Sequence, residues 1–236
     1  LFADRGAKVV VADVDVEGLA RIGRERPEWH TRSLDVSSVG GCTQLIAEIE
    51  DQLGPIFRAT VTAAIAPGSK FLDDSAEQFA RVMRINVEGV SNVAHAVIPR
   101  MIERGSGEFV AYGSVAGEML TPGLSAYCTS KAAVNAFMEV LTWELRDSGV
   151  LIHCARPPGV KTAMLQQITE GQGDSMISVG IERDIFAEPD VIVSSIEKSI
   201  DRRQTLSFPH ASAKAIHLMR RISPRFTWWL IGQSEQ

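Results

Sequence analysis

The chain has 236 residues, 45% of them apolar and 22% charged, long enough to enclose a sizeable core. A formal charge of −5 offers nucleic acid no basic face. No apolar run is long enough to span a membrane, no secretory signal is read at the start, and three cysteines without a CxxC pair suit a reducing cytoplasm. The histidines are scattered and predict no metal site.

In chain order, Ala7–Asp13 reads as a buried strand entered through Gly6, followed by a helix over Val16–Arg24. Trp29–Asp35 is a second strand, and Ser38–Leu53 a helix with Leu45, Ile46 and Ile49 on one face. Ile56–Ala64 is a poorer strand, its apolar run broken by Arg58 and Thr60. Ser75 and Gln78 form a capping box that opens one long helix, Ser75–Glu103. Strand Glu108–Gly113, helix Ser125–Asp147 and strand Val150–Ala155 follow, the last stopped by Pro157-Pro158-Gly159. Residues 161–188 are irregular; a helix over Asp190–Asp201 and a short strand over Thr205–Phe208 come next. Strands alternating with helices predict an α/β, doubly wound, Rossmann-like three-layer sandwich with a mostly parallel sheet, organised as one domain over 1–236. Ligands of such sheets bind beyond the carboxyl ends of the strands.

Ser114 ends the strand Glu108–Gly113, and Tyr127 and Lys131 lie in the first turns of the next helix. Residues four apart share a helix face, so phenol and ammonium can approach each other. A nearby cation favours the phenolate, which predicts a lowered tyrosine pKa and a competent general acid/base. The Ser114 hydroxyl, at the strand end, could hydrogen-bond a substrate oxygen as its charge changes. The other tyrosine, Tyr112, has Ala116 four residues on and cannot take this part.

The stretch FVAYGSVAGEMLTPGLSAYCTSKAAV, Phe109 to Val134, resembles the core of the short-chain dehydrogenase/reductase family, and the similarity runs from Leu1 to about Phe208. The resemblance implies Ser114 as partner of the substrate oxygen, Tyr127 as acid/base, and Lys131 as the residue that lowers the tyrosine pKa and holds the cofactor ribose. Asn86, in RINVEGV, matches the family's fourth catalytic residue, which helps hold a water of the proton relay. The implied activity is oxidation or reduction of an alcohol/carbonyl pair with a nicotinamide cofactor, in a homodimer or homotetramer.

A carboxylate at Asp13 can accept hydrogen bonds from both adenosine ribose hydroxyls and would repel a 2′-phosphate, so the expected cofactor is NAD rather than NADP. A plain turn aspartate is the alternative. Asp35 and Val36 resemble the family's adenine-contacting pair, and a capping region before Ser38 is the other reading. The family's Asn-Asn-Ala-Gly corner is Val61-Thr62-Ala63-Ala64 here, with Ala63 toward the cofactor. Its Pro-Gly before the nicotinamide loop becomes Pro157-Pro158 with Val160 and Thr162 in register, or Pro158-Gly159 with those two out of register. The family's opening strand and glycine-rich turn would lie before Leu1, and that strand would be central, between Ala7–Asp13 and Ile56–Ala64.

Residues 161–188 occupy the position of the family's substrate loop, and Met164, Leu165, Ile168, Met176 and Ile177 there suit an apolar small molecule or burial as anchors. The tail, 210–236, is basic and then aromatic, which suits a subunit contact, a cover for the cleft, or peripheral contact with a membrane. The altered corners leave a rival of another class: a binding or scaffold protein on the same fold. An isomerase or dehydratase using the same Tyr/Lys pair is a third reading.

Overall fold

A computed structural model describes residues 6–170, 186–223 and 225. The elements are β1 (Val10–Asp13), α1 (Val16–Glu25), β2 (His30–Ser33), α2 (Val39–Leu53), β3 (Arg58–Val61), α3 (Ala76–Met83), α4 (Gly89–Glu103) and β4 (Gly107–Tyr112). There follow α5 (Ser125–Glu144), β5 (Val150–Ala155), α6 (Ala163–Glu170), α7 (Pro189–Asp201), β6 (Leu206–Ser207) and α8 (Ala211–Ile222).

All strand pairs are parallel. β1 pairs with β2, Val10 beside His30, and a second sheet runs β3-β4-β5-β6, with Arg58 beside Glu108 and Gly107 beside Val150. β4 and β5 are buried almost throughout, as strands covered on both faces must be. On one face Phe109, Ala111, Ile152 and Cys154 pack against Val97 and Met101 of α4 and Val134 and Met138 of α5. On the other, Val110, Leu151 and Ala155 meet Ile192, Ile196 and Ile200 of α7. These are the three layers that the alternating pattern predicts. The two sheets are separate, and among the described residues β1 and β3 do not pair with each other.

Local signals account for many of the boundaries. Ser38 caps α2 by accepting the Gly41 N–H at 3.1 Å, and Gly54, at φ 98°, closes it. Ser75 caps α3 through the Gln78 N–H, but the reciprocal half of the expected box is missing, because the Ser75 N–H is taken by the Asp74 carboxylate at 2.9 Å.

Three expectations need correction, and the tail gains detail. The outer strands are shorter than the apolar runs suggest: Ala7 and Lys8 are exposed before β1, and Phe57 is exposed before β3. The long helix over 75–103 is not continuous; it opens into a π turn at Arg84–Glu88 between α3 and α4. The irregular segment contains α6, while 171–185, with Met176 and Ile177, lies outside the described residues. The tail begins with a regular helix, α8; Trp228 and Trp229 lie outside the described residues.

Candidate active site

β4 delivers Ser114 to the carboxyl end of the larger sheet in an extended conformation, φ −171° and ψ 156°. Its Oγ accepts the Ala116 N–H at 3.0 Å and caps a single 3₁₀ turn over Val115–Gly117. The turn is tied across to β5, because the Val115 N–H donates to the Pro157 carbonyl at 3.1 Å. Helix α5 starts beside it. Tyr127 lies in its first turn, half-buried, with the Ser114 hydroxyl close enough to its phenol to favour the phenolate. Lys131, one turn further, is buried; its Nζ donates to the Tyr112 carbonyl at 2.8 Å and lies 5.7 Å from the centroid of the Tyr127 ring.

The electrostatics differ from the expectation that Lys131 lowers the tyrosine pKa. Burial dominates and pushes the Tyr127 phenol up to about 12, the Ser114 hydrogen bond pulling the other way and Cys128 adding slightly. Burial also pushes the Lys131 ammonium down to about 8, against a small opposing contribution from Cys154. The ammonium is aimed at the carbonyl ending β4 rather than at the phenol.

Asn86 lies inside the π turn and has no solvent exposure. Its Oδ1 accepts the Ile65 N–H at 2.8 Å, and its Nδ2 donates to the Ile65 carbonyl at 2.9 Å and to Ser130 Oγ at 3.0 Å. Ser130 Oγ in turn donates to the Tyr127 carbonyl at 2.7 Å. Asn86 therefore ties the loop after β3 to the helix turn that bears Tyr127, and it reaches that turn through Ser130, not through Lys131. Sequence reasoning missed Ser130 and Ile65. Ser130 stands three residues past Tyr127, one turn on, a spacing that could have pointed to it.

The remaining candidates line the carboxyl-end rim. Asp13 ends β1 and is exposed; its Oδ1 accepts the Asp15 N–H at 3.0 Å, so a turn role and an open carboxylate coexist. Asp35 and Val36 follow β2. The Asp35 carboxylate accepts the Ser37 N–H at 2.9 Å and is held below the usual range by its hydrogen bonds to Ser37. The Val36 carbonyl accepts from Asn92 at 2.9 Å. Ala63 is exposed just past β3. Past β5, Val160 bridges Ala187 and Thr162 is exposed, its hydroxyl 3.4 Å from the Val160 carbonyl. Ser114, Tyr127 and Lys131 are thus brought together, whereas Asp13, Asp35, Ala63 and Thr162 lie on or after other strands and make no hydrogen bond to them.

A second group escaped the sequence reading. Arg156, buried just past β5, donates to Glu118 at 2.8 Å, and the other Glu118 oxygen is 2.6 Å from His217 of α8. Nothing in the spacing of residues 118, 156 and 217 announces this clasp between the serine turn and the last described helix.

The exposed carboxylate of Asp13 and the buried ammonium of Lys131 fit a dinucleotide in the acceptor and donor types they present. Among the described residues, no glycine-rich turn offers amides to a pyrophosphate.

The profile of the short chain dehydrogenase family matches residues 1–173. An uncharacterized oxidoreductase of Listeria innocua is 29% identical over 88% of this chain and 86% of its own. The 2-dehydro-3-deoxy-L-rhamnonate dehydrogenase (NAD(+)) of a Sphingomonas strain is 34% identical over 75% of this chain and 72% of its own. Among solved structures, a short chain dehydrogenase/reductase from Burkholderia phymatum in complex with NAD superposes with a TM-score of 0.80. It shares 24% identity and covers 93% of this chain and 88% of that one.

Proposed function

The chain belongs to the short-chain dehydrogenase family, and we propose that it interconverts an alcohol and a ketone or aldehyde, with NAD(H) as the redox partner. The contact of Ser114, Tyr127 and Lys131 at the end of β4 carries this reading. When bound, the nicotinamide supplies the hydride acceptor or donor. In the oxidation direction Tyr127 removes the hydroxyl proton of the substrate, and Ser114 orients the same oxygen. Lys131 holds the cofactor ribose and, once the nicotinamide's positive charge and the substrate have joined the site, favours the phenolate. Asn86 fixes the turn bearing Tyr127 through Ser130.

Asp13 supports NAD over NADP, because its carboxylate stands exposed where a 2′-phosphate would be repelled. The NAD(+) in the name of the 34% identical relative points the same way. Asp35, Val36 and Ala63 would border the adenine side, and Pro157, Val160 and Thr162 the nicotinamide side. The substrate is a small molecule, and Met164, Leu165 and buried Ile168 beside Tyr127 suit an apolar one. The exposed Val140 and Trp143 of α5 suit a contact between copies of the chain, and three buried free thiols suit the cytoplasm.

The test is turnover of NADH against a panel of aliphatic and aromatic ketones. Tyr127→Phe should lower kcat about 10²–10⁴-fold, the usual share of a general acid/base, with the fold unchanged by circular dichroism. Turnover that survives the substitution would sink the assignment. The altered corner at Val61–Ala64 motivates the rival scaffold reading. Saturable NADH binding by fluorescence titration would remove it, and NADPH as competitor should bind more weakly.

A further inference from the structure

We propose that Asn135 is the positioning residue of the catalytic serine: its carboxamide clamps the backbone of Ser114 from both sides and thereby aims the Ser114 hydroxyl at Tyr127. This rests on the reading of Ser114 and Tyr127 given above and adds a residue to that site.

Asn135 stands on α5 one turn beyond Lys131 and two beyond Tyr127, so all three share a helix face. It is 5% exposed. Its Oδ1 accepts the Ser114 N–H at 3.3 Å, and its Nδ2 donates to the Ser114 carbonyl at 2.9 Å. The match is geometric. A residue at φ −171° and ψ 156° is nearly fully extended, and its own N–H and C=O then point to the same side. One carboxamide, with a donor and an acceptor side by side, satisfies both.

The turn is built around that side chain. A Cβ at Gly113 would fall 2.0 Å from Asn135 Oδ1, and one at Gly117 would fall 2.6 Å from Nδ2. Glycine on both flanks lets the backbone close on the carboxamide. Asn135 is itself held from behind: Arg156 Nη2 donates to its main-chain carbonyl at 3.2 Å. Arg156 is anchored by Glu118 at the far end of the same turn. With its backbone fixed at both groups, Ser114 keeps the orientation in which its Oγ accepts the Ala116 N–H and its hydroxyl counters the rise of the Tyr127 pKa.

The test reads Tyr127 directly. The chain has two tyrosines, so labelling tyrosine with ¹³C at Cζ gives two resonances, and Tyr112→Phe assigns them. Removing the Ser114 hydroxyl in Ser114→Ala should shift the Tyr127 signal at neutral pH. Asn135→Ala should shift it in the same direction, and the double variant should shift it no further than Ser114→Ala alone. If the alanine variant fails to fold, Asn135→Asp, which keeps the acceptor and loses the donor, should give a smaller shift of the same sign. In NADH-driven reduction of 2,3-butanedione, Asn135→Ala should lower kcat about tenfold with KM within about twofold. An unmoved Tyr127 signal, additive shifts in the double variant, or a loss confined to KM would overturn the proposal. Turnover that survives Ser114→Ala would instead overturn the role of Ser114 and leave the clamp to be judged on the resonance alone.

Discussion

At the residue scale, one cause moves Tyr127 and Lys131 in opposite directions. Burial disfavours whichever form is charged, so it raises the phenol to about 12 and lowers the ammonium to about 8. The consequences for stability have opposite signs. Between pH 8 and 10.5 the unfolded chain keeps the lysine proton that the folded chain has lost, so stability rises with pH and is fully gained above 10.5. Between pH 10 and 12 the folded chain keeps the tyrosine proton that the unfolded chain has lost, so stability falls. Urea unfolding of the chain and of Lys131→Met should therefore diverge upward from pH 8 to 10.5. Comparison with Tyr127→Phe should show the loss from 10 to 12. Parallel curves would refute the buried state of either group. The type and spacing of these two residues were legible in the sequence. Their pKa directions were not, because the sequence does not state how deep a side chain lies or which carbonyl it meets.

At the element scale, the π turn between α3 and α4 is the feature that periodicity could not show. Its five residues continue the apolar stripe of the flanking helices, so Ser75–Glu103 reads as one helix. The opening coincides with Asn86, whose side chain makes three hydrogen bonds outside the helix, to Ile65 and Ser130. Next to it, Gly89 accommodates Val36: a Cβ there would meet Val36 Cγ2 at 2.6 Å. Asn86→Ala leaves the Ile65 N–H and C=O without their partner. Each unsatisfied group costs about 1–3 kcal/mol, so the variant should lose roughly 2–6 kcal/mol in chemical denaturation. A loss below about 1 kcal/mol would mean that water or backbone replaces the carboxamide readily. The strand lengths were overestimated for a related reason. Apolar composition marks where a strand passes through the core, while pairing stops where a neighbour stops.

At the scale of the whole molecule, the residue that makes β3 look poor in sequence is explained by distant partners. Arg58 binds Glu108 on the adjacent strand and Glu197 on α7, so the interruption of an apolar run becomes a link between two layers. Both groups of the Arg58–Glu108 pair are largely shielded from water. Arg58→Met should cost about 3–5 kcal/mol in urea unfolding, because it strands Glu108 without its counter-charge. Replacing Arg58, Glu108 and Glu197 together by Met, Leu and Leu should recover most of that loss. Failure of the triple variant to recover would show that the network supports the sheet in a way apolar packing cannot. The Arg156–Glu118–His217 clasp acts over similar distances and joins α8 to the serine turn.

The sequence by itself determined the alternation of strands and helices and the family, and it singled out Ser114, Tyr127, Lys131 and Asn86 as candidates. Those depend on periodicity and on short spacings along one strand end and one helix face, which a linear chain displays. Only the tertiary structure decided the rest. The partners of Arg58, the link from Asn86 through Ser130 to Tyr127, and the clamp of Asn135 on Ser114 all join residues far apart in the chain. So do the surroundings that press the lysine and the tyrosine toward their neutral forms. Burial and hydrogen bonding depend on which distant elements meet, and no local pattern records that.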